Sequence, residues 1–195
     1  MKRILSTVIL FTVFAAVTFA QRALMLKMND GVTNAVPTTA IGEITFSEDG
    51  ATMIIMPIEG DEVILKTANI LDMSYGVAPA NIMVKYDGEK ATVENPYLLN
   101  GVYASVKGAN VTVTNDNVTT EYITELTGST DNGSFIYNGS YKNTIVLNGV
   151  SITNTKGAAI DIECGKRVLM ELKKGTVNTL VDAEGGKQKA ALYCK

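Results

Sequence analysis

Histidine and tryptophan are absent from this 195-residue sequence. Without histidine, the chain has no Ser-His-Asp or Cys-His catalytic set, no histidine-bound zinc and no ordinary proton shuttle for neutral pH. Cysteine is scarce, because the chain has only Cys164 and Cys194. These absences exclude the commonest designs of hydrolase and zinc enzyme.

Charge is sparse as well. Charged residues make up 19% of the chain, and the formal net charge is −3. Helices stabilised by Glu–Lys pairs therefore have little material, whereas β-branched residues, Gly and Asn are abundant, so the composition predicts an all-β fold. The sequence has no basic arm or stripe that could neutralise phosphates, and we predict no nucleic-acid partner.

The N-terminus has the pattern of a secretion signal. A basic start, Met1-Lys2-Arg3, precedes an uncharged apolar run over residues 4–20, and Thr18-Phe19-Ala20 supplies small residues at the positions that signal peptidase reads. A membrane anchor is the alternative, but the run is short for a spanning helix. We therefore predict a signal peptide over 1–20, cleavage between Ala20 and Gln21, and a secreted or cell-surface protein with no transmembrane anchor in the mature chain.

The rest of the chain divides by pattern into three parts. Residues 21–73 hold short apolar runs separated by Asp-Gly and Glu-Gly turns, which predicts a small β module. Residues 74–80 contain Gly76 and Pro79 and break this pattern, so we predict a linker there. Residues 81–195 carry many short strand-like runs that end near Gly, Asn, Asp or Lys.

Two of these later segments can be superposed as repeats. Ile145 falls on Met170 and Leu147 on Leu172, while Ile160 falls on Leu192. A unit of this length built only from short strands and turns predicts a coil of a parallel β-helix. A β-sandwich is the alternative, because alternating strands with Gly and Asn turns suit it too.

Stacked coils need similar apolar residues at inward positions. The alternation predicts one inward set in two coils: Ala158, Ile160, Ile162 and Cys164, with Ala190, Leu192 and Cys194 stacked on the first three. Export permits a disulfide, but this alignment sets the two cysteines diagonally, about 8 Å apart between Cα atoms. We predict two buried thiols, with a bridge as the alternative if the alignment is displaced. Asn178 is predicted at a corner, bonding backbone groups or a stacked Asn154.

The same residues resemble a known family. Leu147-Asn148-Gly149, Ala158-Ala159-Ile160, Gly175-Thr176, Asn178-Thr179-Leu180 with Asp182, and Lys189–Tyr193 match the repeat core of secreted bacterial carbohydrate-binding domains. The resemblance implies a right-handed parallel β-helix of pectate-lyase-like shape over residues 81–195, binding to polysaccharides such as polygalacturonate or cellulose, and bound calcium. It also implies further coils after Lys195, so we expect the domain to be incomplete here.

Candidate site residues follow from the alternation and the coil offset. Asp161 and Glu163 turn outward on one strand, about 7 Å apart, and Tyr193 and Lys195 are predicted to stack over them. A tyrosine ring can pack on a sugar, and carboxylates can hold calcium, so we predict carbohydrate binding by Asp161, Glu163 and Tyr193. Asp161, Glu163 and Asp182 are the candidate calcium ligands. The alternatives are a surface ion pair with a solvated tyrosine, and a capping role for Asp182.

Three functions fit this pattern. The first is secreted, non-catalytic polysaccharide binding. The second is a structural spacer on the cell surface, as in an adhesin, which would show no convergent site. The third is a polysaccharide lyase or glycoside hydrolase. The spacing of Asp161 and Glu163 suits the inverting pair of a hydrolase. The resemblance to pectate lyases implies an Arg base among calcium-binding acids, and Arg167, the only Arg after the linker, has no acid cluster beside it in sequence.

Overall fold

The computed structural model describes residues 21–186, 188 and 190–195. The predicted signal peptide and Ala20 lie outside these residues. The described part consists of strands and three short 3-10 segments, so the all-β prediction is confirmed. No helix within it is long and apolar enough to cross a membrane.

The strands are numbered in chain order. The first six and the 3-10 segments between them are β1 (Arg22–Met28), β2 (Val32–Pro37), η1 (Thr38–Ala40), β3 (Ile41–Phe46), β4 (Thr52–Pro57), β5 (Val63–Lys66), η2 (Thr67–Asn69) and β6 (Ile70–Val77). The remainder are β7 (Ile82–Asp87), β8 (Lys90–Asn95), η3 (Leu98–Asn100), β9 (Val102–Lys107), β10 (Asn110–Asn115), β11 (Tyr122–Thr130), β12 (Ser134–Gly139), β13 (Asn143–Thr153), β14 (Ile160–Glu163), β15 (Val168–Leu172), β16 (Thr179–Val181) and β17 (Leu192–Cys194).

These strands form three sheets. A nine-stranded sheet has the order β15-β13-β11-β7-β8-β2-β1-β6, with β16 also paired to β13. A five-stranded sheet has the order β17-β14-β12-β10-β9, and β3-β4-β5 form a third sheet. The nine-stranded sheet therefore contains strands from both ends of the chain.

The first six strands form an internal repeat with an offset of 29 residues, as from Leu24 to Met53. Each pair of the β4–β5 hairpin is a β1–β2 pair displaced by this offset; Leu24↔Val36, for example, becomes Met53↔Leu65. The turn glycines Gly31 and Gly60 are also equivalent, with φ of 97° and 103°. Sequence reasoning missed this repeat.

The two repeats exchange their third strands. β6 of the second repeat pairs with β1, and β3 of the first repeat pairs with β4. Both pairings have the same register, including a bulge at the same place, so that Leu24↔Tyr75 corresponds to Met53↔Phe46. The apolar faces of the hairpins share one core, which is formed by Leu24, Leu26, Val36, Met53, Ile55, Val63 and Leu98. This front module thus has two facing sheets, as in the sandwich alternative.

From β11 onward the chain alternates between the two larger sheets. β11, β13 and β15 stack in parallel in the nine-stranded sheet, while β12, β14 and β17 stack in parallel in the five-stranded one. Ile145 pairs with Met170, and Ile160 pairs with Leu192, so these residues lie side by side as the predicted alignment requires. Between the sheets lies a second core, which includes Tyr86, Leu126, Phe135, Tyr137, Ile145, Ile152, Ile160 and Ile162.

The prediction for the cysteines was partly wrong. Cys164 is half-buried against the core, and its thiol donates to the Tyr141 carbonyl oxygen at 3.3 Å. Cys194 pairs with Ile162 as expected but is exposed, because no described strand stacks on β17. Both thiols are free, so the alternative of a disulfide is not realised.

Two local predictions need adjustment. Residues 74–77 of the expected linker belong to β6 and pair with β1, because the alternating residues of this segment continue the front-module sheet. For Asn178 the first of the two predicted alternatives, a bond to a backbone group, is confirmed: its side-chain oxygen accepts the Val150 N–H at 3.0 Å, and it does not stack on Asn154. The reason is register, since β16 places Thr179 beside Ser151.

Candidate functional site

The predicted carbohydrate-binding residues Asp161, Glu163 and Tyr193 lie on the solvent side of the five-stranded sheet, which we call the outer face. Burial alternates along β9, β10, β12 and β14, so every second side chain points away from the core. Two cross-strand rows result: one is Ser105, Thr112, Ile136, Asp161 and Tyr193, and the other is Tyr103, Thr114, Asn138 and Glu163.

Asp161 and Tyr193 are cross-strand neighbours on this face. Parallel pairing of β14 and β17 places them side by side, as the coil offset predicts, and both are partly buried. Gln188 Nε2 donates to Asp161 Oδ2 at 3.1 Å, while Asp161 Oδ1 is buried and has no hydrogen-bond partner among the described residues. Asp161 therefore sets a carboxylate beside an aromatic ring, on which a sugar can pack, and a ligand on the ring reaches Oδ1 only when the residues that cover this oxygen move.

The environment of Asp161 disfavours its charge. Burial is the main reason that its pKa is raised, and repulsion from Glu163 adds to it. The hydrogen bond from Gln188 and the charge of Lys195 act in the opposite direction. Carboxylates with a raised pKa are common at binding sites, although structural sites also contain them.

Glu163 and Lys195 are exposed and lie on the outer face next to Asp161 and Tyr193. The Lys195 N–H donates to the Ile162 carbonyl oxygen at 3.0 Å, which places Lys195 next to Glu163 as predicted. The predicted alternative, an ion pair across these strands, does not form within the described residues. Both side chains are exposed and available to a ligand.

The carboxylates predicted to hold calcium are not gathered into a metal site. Asp182 lies in the long corner before β17, where it lines a shallow cavity with Gln188. Among residues 21–186, 188 and 190–195, no group of three or more acidic or cysteine side chains could hold a metal ion. Asp161, Glu163 and Asp182 are therefore not brought together as one acidic group within the described residues.

Arg167, the candidate base of a lyase, is used elsewhere. Its guanidinium donates to both carboxylate oxygens of Glu121, at 2.7 and 3.0 Å, and Thr144 donates to the same carboxylate at 3.0 Å. Glu121 precedes β11 of the nine-stranded sheet, so this group lies away from Asp161. The contacts of Arg167 thus serve to join successive coils.

Sequence reasoning missed a second ladder of this kind. Glu125 is buried in β11 and accepts hydrogen bonds from Asn148 and from Lys173, the latter at 3.1 Å. Each partner lies one further strand along the stack. The spacing of 23 residues from Glu125 to Asn148 is the signal that could have revealed it, because it is close to the 21–22 residues that separate paired positions of β11 and β13.

Comparison with known proteins covers the second half of the chain. Residues 107–195 match the model of a family described as "carbohydrate-binding domain-containing protein". A curated protein from Acetivibrio thermocellus with this description is 29% identical over 106 residues, which is 53% of this chain and 34% of that protein. The chain therefore spans about a third of the length of this relative.

A solved structure also matches. It is that of a polysaccharide lyase-like protein from C. thermocellum, in a gadolinium derivative. The TM-score is 0.43 at 28% identity, with 53% of this chain and 38% of that chain covered. The family match is the more informative finding, since its range includes β10, β12, β14 and β17 of the outer face, and with them Asp161, Glu163 and Tyr193.

Proposed function

We propose that this protein binds a polysaccharide on the outer face, without catalysis. The observation that carries the proposal is the pairing of Tyr193 with Asp161, an aromatic ring beside a carboxylate oxygen that no described residue satisfies. The family match supports it, because the family is described by carbohydrate binding and the match includes both residues. Glu163 and Lys195 are exposed beside them and would complete the contact surface.

The charges of the outer face favour an uncharged polysaccharide. Beside Tyr193, the described charges are the carboxylates of Asp161 and Glu163 and the one cation Lys195, whereas Lys107 lies on the far edge strand β9. A polyuronate would therefore meet net repulsion at Tyr193. Cellulose carries no charge and would need no counterion. Polygalacturonate is the second candidate, and its binding would depend on calcium bridging sugar and protein carboxylates.

The stacked strands would give such a ligand a rigid surface on which to bind. We propose that the parallel stacks continue as a right-handed β-helix, because successive strands alternate between two sheets and pair in parallel. We also propose that the chain is exported after cleavage at Ala20–Gln21, which would place the outer face among extracellular polysaccharides.

Affinity electrophoresis tests the proposal on residues 21–195. The gels contain a soluble cellulose derivative or polygalacturonate, each with calcium or with EDTA. Retardation by the cellulose derivative in both buffers is expected, and Tyr193→Ala should weaken it. Tyr75→Ala is the matched control, since Tyr75 is 83% exposed on β6, in the front module.

Each outcome decides between the functions. Retardation by polygalacturonate alone, and only with calcium, would favour the acidic ligand. A folded protein that neither polymer retards would contradict binding and favour the spacer. Release of reducing sugar or unsaturated product during incubation would instead indicate an enzyme.

A further inference from the structure

A cleft lies at the β9 edge of the outer face. It is formed between the front module and the strands that follow it. Its volume is about 580 Å³, within the range of small-ligand sites. One wall is the β4–β5 turn, residues 59–62, and the other comprises Leu99, Asn100, Gly101, Tyr103, Asp116 and Asn117. This cleft is therefore large enough for part of a polysaccharide chain.

Tyr103 belongs to both the cleft and the outer face. It lies on β9, the edge strand of the five-stranded sheet, in the cross-strand row that includes Glu163. Its side chain is 43% exposed. Tyr193 lies on the opposite edge strand, four strand intervals away, which corresponds to about 19 Å across the sheet.

Between the two tyrosines the outer face is mostly polar, with Ile136 as its apolar member on the middle strands. Thr112, Thr114 and Asn138 are at least partly exposed on the middle strands and offer hydroxyl and amide groups. A polysaccharide that packs on Tyr193 and crosses the strands meets these side chains next. It then reaches Tyr103 and the mouth of the cleft.

The cleft lining determines the charge of its ligand. Four carboxylates line it, those of Glu59, Asp61, Glu62 and Asp116, and no lysine or arginine does. These carboxylates are not arranged as a metal-binding group, since the described residues contain none. Anionic sugars would be repelled without a bridging ion, whereas hydroxyl groups of an uncharged sugar can donate to the carboxylates.

We infer that Tyr103 and this cleft form a second subsite, which takes the continuation of an uncharged polysaccharide chain bound at Tyr193. The inference rests on the proposed function, because it extends the same bound chain across the outer face. Affinity is then set by chain length, and short oligosaccharides occupy one subsite only.

Isothermal titration calorimetry with cellobiose and cellohexaose tests this inference. Wild-type protein should bind cellohexaose more tightly than cellobiose. Tyr103→Ala should reduce cellohexaose affinity by roughly threefold to tenfold, as for one stacked ring, and leave cellobiose affinity at Tyr193 unchanged. Tyr75→Ala, in the front module, should change neither.

The variants separate this inference from the proposed function. If Tyr193→Ala abolishes binding while Tyr103→Ala matches wild type on both sugars, the second subsite is wrong and the outer-face site stands. If neither variant affects binding, the second subsite and the outer-face site are both wrong. A Tyr103→Phe variant keeps the ring and should retain cellohexaose affinity; loss there as well as in Tyr103→Ala would contradict stacking.

Discussion

Gly128 lies directly against the backbone of Tyr86 on the neighbouring strand. Gly128 has φ of 80°, and a Cβ at this position would overlap the Tyr86 carbonyl oxygen. The residue marks an irregularity of β11, where the register with β13 shifts between Leu126 and Gly128. The core sheet therefore depends on a position that only glycine can occupy.

This contact predicts the effect of Gly128→Ala. We expect a loss of more than about 2 kcal/mol in the free energy of unfolding, since the left-handed conformation itself costs about 1–2 kcal/mol and the overlap adds to it. Gly88→Ala is the control, because Gly88 has φ of 61° but open space around it. Urea denaturation of both variants measures the difference, and equal losses would contradict the role of the close approach.

Asp161→Asn should make stability depend differently on pH. The pKa of Asp161 is raised in the fold, mainly by burial. The contribution of this group is therefore most favourable below the ordinary pKa near 3.8 and is lost as pH rises through the raised value. The neutral amide lacks this loss, so the variant should gain melting temperature relative to wild type as pH rises from acidic to neutral. A difference that is constant across this range would contradict the shift.

Lys173→Ala should destabilise the protein more than Arg167→Ala. Lys173 pairs with Glu125, whose side chain is 11% exposed, whereas the partner of Arg167 is 31% exposed. Loss of Lys173 leaves a buried carboxylate with Asn148 as its remaining described partner, and we expect about 1 kcal/mol, against at most about 0.5 kcal/mol for Arg167. Urea denaturation of Lys173→Ala and of Arg167→Ala measures the two losses in the free energy of unfolding. Equal effects would show that burial of Glu125 is irrelevant to the pair.

The two cysteines should behave as independent thiols. Cys194 is exposed and should react first with a thiol reagent, while Cys164, half-buried and bonded to Tyr141, should react later. Dithiothreitol should leave the melting temperature unchanged. Intact mass of the unreduced protein provides the check, because a disulfide would appear as the loss of two hydrogens.

The stack of coils could be predicted from sequence because inward positions of neighbouring strands must match in size and polarity. Ile145 with Met170 and Ile160 with Leu192 satisfy that requirement, and their pairings followed correctly. The position of Tyr193 beside Asp161 follows from the same offset. The cleft at Tyr103 could not be predicted, because it joins parts of the chain that no local pattern connects.

The front-module repeat was missed for a different reason. Over residues 22–46 and 51–75, the aligned sequences share three identities: Gly31 with Gly60, Thr38 with Thr67, and Ile41 with Ile70. A strand core tolerates exchange among Leu, Met, Ile and Val when volume is roughly kept, so the equivalence is preserved in register and not in letters. The exposure of Cys194 could not be predicted from the alternation of apolar residues either, because it depends on whether another strand stacks on β17.

The exchange of third strands also has a kinetic consequence. β1 is the first strand of the module in chain order and its partner β6 is the last, so their pairing closes a loop of most of the module. Such distant contacts form slowly because loop entropy must be lost before they stabilise the chain. Until then both hairpins present unpaired edges and uncovered apolar faces. We expect the two repeats to fold in one cooperative step, because neither third strand is paired until both hairpins are present.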